Sequence, residues 1–171
     1  MDAAETNKLI SGYLELATIE LFHDIGADFA CVERNTSLPD ITAIIGFAGT
    51  GIAGSLALCT SHDCLSELAK LGNTKMTEDW LGELSNQLLG RVKRRLSPHG
   101  ASFGLSTPVV ISGDRLRLSA SAQVKPPIST CVASSLGRAE VWLEIEFRDG
   151  FTLTDQPEED GSLIEGEALL F

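Results

Sequence analysis

Basic charge is scarce in this chain: 13 Lys and Arg stand against 24 Asp and Glu, a formal net charge of −11. Nucleic acid and anionic membrane surfaces are therefore poor candidates for the main partner, because phosphate groups are bound by clustered Lys and Arg. Long hydrophobic runs are missing too, and nothing approaches the roughly 20 apolar residues that span a bilayer. The first seven residues carry Asp2 and Glu5 and no basic cluster, so no signal peptide is expected and the default compartment is the cytoplasm. Cys31, Cys59, Cys64 and Cys131 form no CxxC pair, and His23, His62 and His99 are scattered. Buried free thiols are the expectation, and no intrinsic metal site is visible. No Ser-His-Asp order, P-loop or GxGxxG context appears, which leaves a small-molecule enzyme without support. Gly46, Gly49, Gly51 and Gly54 lack a following Lys-Ser/Thr, so they read as a hairpin with close strand packing rather than a phosphate loop.

What is present suffices for one domain. The 171 residues are 43% hydrophobic and 22% charged, ordinary for a globular chain. Leu9, Ile10, Tyr13, Leu14, Ala17 and Leu21 give residues 6–25 a helical apolar face, with Gly26 as its stop. Residues 41–48 and 51–59 are β-branched apolar runs around a Gly49-Thr50 hairpin turn, and a short helix is expected over 62–71, ended by Gly72-Asn73. A helix begins near Thr77, a good N-cap with Glu78 and Asp79 behind it, and runs to about Leu96. It closes on Arg91, Lys93, Arg94 and Arg95, which either complement the helix C-terminus or offer a patch to an acidic partner. Strands are expected over 104–112, 116–124, 128–135 and 140–148, the last two joined by a turn at Leu136-Gly137-Arg138.

Helix then strands, a short helix, then helix and strands again amount to a repeat of architecture without a repeat of sequence. The expected fold class is α+β, a pseudo-symmetric antiparallel sheet with two long helices packed on it. The domain is expected to fill residues 1–150. Residues 151–171 carry six acids, no Lys or Arg, and Pro157, and are expected to form a largely flexible acidic tail. Its apolar end, residues 168–171, either frays or docks.

The helix over 77–96 holds most of the functional information. Asp79, Glu83, Asn86 and Gly90 recur at spacings of four, three and four, so they share one narrow stripe. Leu81, Leu84, Leu88 and Val92 form the opposite, core-facing stripe. A glycine inside a helix costs about 1 kcal/mol relative to alanine. Its best physical use on an outward face is to let another surface come close to Glu83 and Asn86. A solvated face with a tolerated glycine is the plain alternative.

The run Asp79-Trp80-Leu81-Gly82-Glu83-Leu84-Ser85-Asn86, with Gly90, resembles the active-site helix of the CheC/CheX/FliY phosphatases of bacterial chemotaxis. That family's signature is Asp or Ser, three residues, Glu, two residues, Asn, and a proline a little over twenty residues on. Pro108 follows Asn86 after 21 intervening residues, inside Ser106-Thr107-Pro108-Val109-Val110-Ile111-Ser112-Gly113. The order of helices and strands agrees over residues 6–148. A single motif copy is more like CheX than CheC, since the counterpart in the first helix, Glu15-x-x-Thr18, has threonine where an amide should be.

The resemblance implies that the substrate is the phospho-aspartate of a CheY-like response regulator and that the working form is a homodimer. No cofactor would be intrinsic; Mg²⁺ would sit on the regulator, beside a lysine, and neutralise phosphoryl charge. An acyl phosphate is already reactive, so what remains is to place a water in line with phosphorus. Asn86 would orient that water, since an amide both donates and accepts without titrating near neutral pH. Glu83 would engage the regulator's lysine. Asp79, Gly90 and Pro108 would support: Asp79 at the helix start or on the regulator, Gly90 as clearance, Pro108 shaping the strand end. The competing expectation is a non-catalytic module that binds a regulator or a flagellar-switch-type partner.

Overall fold

The computed structural model describes residues 1–34, 38–74, 78–118, 127–148 and 150–155. Helix α1 (Ala3–Asp24) begins where Asp2 caps it: the Asp2 carboxylate accepts from the amides of Ala4 and Glu5 at 2.7 and 2.8 Å, and Glu5 accepts from the Asp2 amide at 2.9 Å. This capping box starts the helix three residues earlier than its apolar pattern announces. Gly26, just past the end, takes φ +91°.

After the two-residue strand β1 (Ala30–Cys31) come β2 (Ile41–Gly49) and β3 (Ile52–Thr60), paired antiparallel from Ile41↔Thr60 to Gly49↔Ile52. Their turn is Thr50-Gly51, one residue later than expected. Gly51 supplies the left-handed position at φ +73°. Gly49 is instead the last residue of β2, and a Cβ there would lie 1.9 Å from the Ser102 carbonyl oxygen, so the position needs glycine. Helix α2 (His62–Leu71) follows, closed at Gly72 as its sequence suggests and capped by Ser61, whose hydroxyl accepts from the Cys64 amide. Helix α3 spans Glu78–Leu96; the expected cap, Thr77, lies outside the described residues.

The single strand expected over 104–112 is broken into β4 (Phe103–Leu105) and β5 (Val109–Ser112). Both pair with β2, β4 against residues 47–49 and β5 against 41–44, so the outer strand carries one residue more than its partner. Pro108, which has no N–H to give a ladder, sits at this bulge. Of the strand expected over 116–124, residues 116–118 are irregular and the rest lie outside the described residues. Strands β6 (Ile128–Ser134) and β7 (Gly137–Phe147) form the last hairpin. Gly137 and Arg138, read as turn residues, already pair with Ser134 and Ala133.

The antiparallel sheet runs β1-β6-β7-β3-β2-β4, with β5 also on β2. The order is two-fold about the central β7–β3 pair. The strand after α1 pairs with β6, and the strands after α3 pair with β2. Likewise α1 packs over β6, α3 over β2, and the two helices pack on each other. The fold class is the α+β architecture expected. Its core lies between helices and sheet, around Ile10, Leu14, Leu56, Leu88, Leu89 and Val141.

Part of the segment read as tail belongs to this core. Leu153 is buried, Phe151 stacks near Phe147, and Asp155 pairs with the Met1 amino group at 2.8 Å. Residues 156–171 lie outside the described residues.

Candidate active site

The packing of α3 decides which way its stripe points. Leu81, Leu84, Leu88 and Val92 are all buried, at most 3% exposed, so one side of the helix is fixed against β2 and the core. Asp79 and Glu83 are consequently exposed, and Asn86 and Gly90 half-buried, on the outward side. Glu83 and Asn86 stand three residues apart, about 4.5 Å along the axis, on a rigid element. At Gly90, one turn on from Asn86, a Cβ would meet nothing within 4 Å, so the space at that position is open.

Two residues of this site escaped the sequence reading. Gln87 Nε2 donates to Glu83 Oε1 at 3.1 Å, an i,i+4 contact whose spacing was visible. Gly82 is the second. A Cβ on it would lie 3.3 Å from Pro108 Cγ and 3.6 Å from Val110 Cγ2, so the helix is seated on the bulge through a bare glycine. Pro108 thus abuts α3 one residue before Glu83. The bulge is itself tied to β2: the Ser106 amide donates to the Gly46 carbonyl at 2.9 Å, and the Gly46 amide donates to Ser106 Oγ at 3.0 Å.

The basic cluster at the end of α3 divides. Arg91 pairs with Asp24 at 2.6 Å, and Arg95 with Glu20 at 2.5 Å while also donating to the Arg91 carbonyl at 3.3 Å. These two fasten α3 to α1, a use that neither sequence alternative anticipated. Lys93 Nζ lies 5.8 Å from the centre of the Phe103 ring. Arg94 is exposed.

Three of the four thiols, Cys59, Cys64 and Cys131, are buried as expected, but Cys31 at the sheet edge is exposed. Burial pushes the Cys59 thiol up to about 12 and raises Cys64 as well. Among the described residues no three His, Cys, Asp or Glu side chains gather as a metal site, and no helix is long and apolar enough to cross a membrane.

The stripe offers a carboxylate, an amide and open space on a stiff helix, with no nucleophile of its own. Such a set can orient a water and an incoming charged group, a positioning task rather than a covalent one.

The family model described as chemotaxis phosphatase CheX matches residues 41–130, which include Asp79, Glu83, Asn86, Gly90 and Pro108. No curated protein matches the chain. Among solved structures, CheX from Vibrio vulnificus superposes with a TM-score of 0.72 at 19% identity, covering 80% of this chain and 96% of that one. CheX from Desulfovibrio desulfuricans gives a TM-score of 0.66 at 22% identity, over 80% and 99% of the two chains. A CheX–CheY–BeF3–Mg²⁺ complex from Borrelia burgdorferi gives 0.58 at 18% identity, over 78% and 95%. At these identities the structures speak for the fold, and the family match covers over half of the 171 residues. The chain belongs to the CheX family of chemotaxis phosphatases.

Proposed function

We propose that this protein hydrolyses the aspartyl phosphate of a CheY-like response regulator. The observation that carries the reading is the outward stripe itself: Glu83 and Asn86 side by side on a core-anchored helix, with empty space over Gly90. Membership of the CheX family and a relative captured as a CheX–CheY complex support it.

On this reading the α3 face inserts at the regulator's phosphorylated site. The regulator brings the Mg²⁺ and the lysine that neutralise phosphoryl charge. Glu83, held by Gln87, engages that lysine and sets the approach, and the Asn86 amide accepts from and donates to a water aimed at phosphorus. Gly90 lets the regulator surface close in, and Pro108 holds the helix through Gly82. Asp79 serves mainly at the positive start of the helix. The working form is a homodimer; Val109 and Ile111 on the outermost strand, 61% and 43% exposed, suit such an association.

The test is the decay of a phosphorylated CheY-like regulator from the same genome, with and without the protein. Faster decay with wild type and not with Asn86→Ala supports the reading. Unchanged decay with complex formation would make the protein a binding module instead.

A further inference from the structure

Away from the stripe, at one end of the sheet, the fold brings together three side chains far apart in sequence. Ile41 pairs with Thr60 on one side and with Ser112 on the other. Asp40, just before β2, therefore lies beside His62, at the start of α2, and His62 in turn reaches Ser112, the last residue of β5. His62 Nδ1 lies 2.9 Å from Asp40 Oδ1, and His62 Nε2 lies 3.0 Å from Ser112 Oγ. Asp40 Oδ1 also accepts from the His62 amide at 2.7 Å, which fixes the imidazole relative to the carboxylate.

The chemistry of this set follows from donors and acceptors. An ionised carboxylate only accepts, so Asp40 selects the tautomer with its proton on Nδ1. Nε2 then presents a lone pair, and the Ser112 hydroxyl donates to it. That is the connectivity of an activated serine: nucleophile, base, and a group that orients the base. The Ser112 backbone adds one more element. The Gly113 amide donates to the Asp40 carbonyl at 2.9 Å, so by the alternation of an antiparallel ladder the Ser112 amide faces away from β2, toward the edge of β5 that no other described strand pairs with. It is available to a developing oxyanion at the same residue.

We propose that Asp40, His62 and Ser112 form a second, acyl-transfer site, distinct from the α3 stripe. Ser112 Oγ attacks the carbonyl of a small ester while His62 Nε2 takes the hydroxyl proton. Collapse of the tetrahedral adduct breaks the bond to the leaving oxygen, which receives that proton and departs as the alcohol. Water, deprotonated by the same nitrogen, then releases the acid and restores the hydroxyl. The site is open, with Asp40 and His62 side chains 41% and 40% exposed, and Asp63 and Asp114 follow closely in sequence. It therefore suits small uncharged acyl esters rather than acidic ones.

The experiment is covalent labelling of the full chain with a fluorophosphonate probe, read by peptide mass spectrometry, alongside turnover of p-nitrophenyl acetate. The exposed Ser129 serves as an internal reference. Ser112 is expected to label on the order of 100-fold faster than Ser129. His62→Ala and Asp40→Asn should each lose this advantage with circular dichroism unchanged, and added imidazole should restore labelling of His62→Ala, which a merely structural histidine would not allow. Ser112→Ala should lose ester turnover while still accelerating regulator dephosphorylation. Labelling of Ser112 at the rate of Ser129 overturns the site and leaves the three contacts as a clamp between α2 and the sheet. Loss of regulator dephosphorylation by Asn86→Ala has no bearing on it.

Discussion

At the scale of the residue, the proposed function divides the stripe into chemistry and support. The Asn86 amide is half-buried on the outward side of α3, away from the core stripe. Asn86→Ala is therefore expected to remove the acceleration of regulator dephosphorylation while leaving thermal stability within about 0.5 kcal/mol, the range for surface changes. Calorimetry and a phosphate-release assay check the two halves together. Glu83→Gln keeps a partner for Gln87 and removes the charge, so it should weaken regulator binding and rate together, as titration calorimetry and the same assay would read. Gly90 gives a prediction of opposite signs. An alanine there meets nothing within 4 Å and improves helix propensity, so Gly90→Ala should raise stability by up to about 1 kcal/mol. If the glycine exists to admit the regulator, the stabler protein should bind it less well; equal affinity would show that the clearance is not used.

At the scale of the element, the role proposed for α3 depends on its back being fixed. Leu84 is 3% exposed in the core stripe directly behind Glu83, and Leu84→Ala should cost about 2–5 kcal/mol in denaturant unfolding. Regulator dephosphorylation by the protein that remains folded should change little, because the outward residues are untouched. The elements that were legible in sequence are those whose signals are local. The apolar periods of α1 and α3, the Gly72 limit of α2, and the β2–β3 hairpin all follow from neighbours within a few residues. The stripe residues could be named for the same reason. What was not legible depends on contacts across the fold. The break between β4 and β5 is set by pairing with β2, more than fifty residues away in sequence, and by Pro108 meeting Gly82, more than twenty away. Arg91 and Arg95 look like a helix terminus or a docking patch until Glu20 and Asp24 are placed beside them. Asp40, His62 and Ser112 have no motif spacing, and only the register of three strands joins them.

At the scale of the whole molecule, the two halves share an architecture but not a site. The internal two-fold axis relates α1 to α3, so a second working face would be expected on α1 if symmetry alone governed function. The residues say otherwise. Thr18, the counterpart of the amide, is fully buried, and its hydroxyl donates to the Leu14 carbonyl at 2.7 Å, closing it inside its own helix. Glu15 is exposed but has no amide beside it. The acids that follow, Glu20 and Asp24, are taken up by Arg95 and Arg91 in holding α3. The first half has thus become the mount for the second. One regulator should bind per chain, and titration of an activated regulator into the protein should saturate at that ratio. Asn86→Ala should leave the ratio unchanged, and Glu83→Gln should lower affinity without altering it. Saturation at two regulators per chain would mean that α1 also docks a partner, and a single helix stripe would no longer account for recognition.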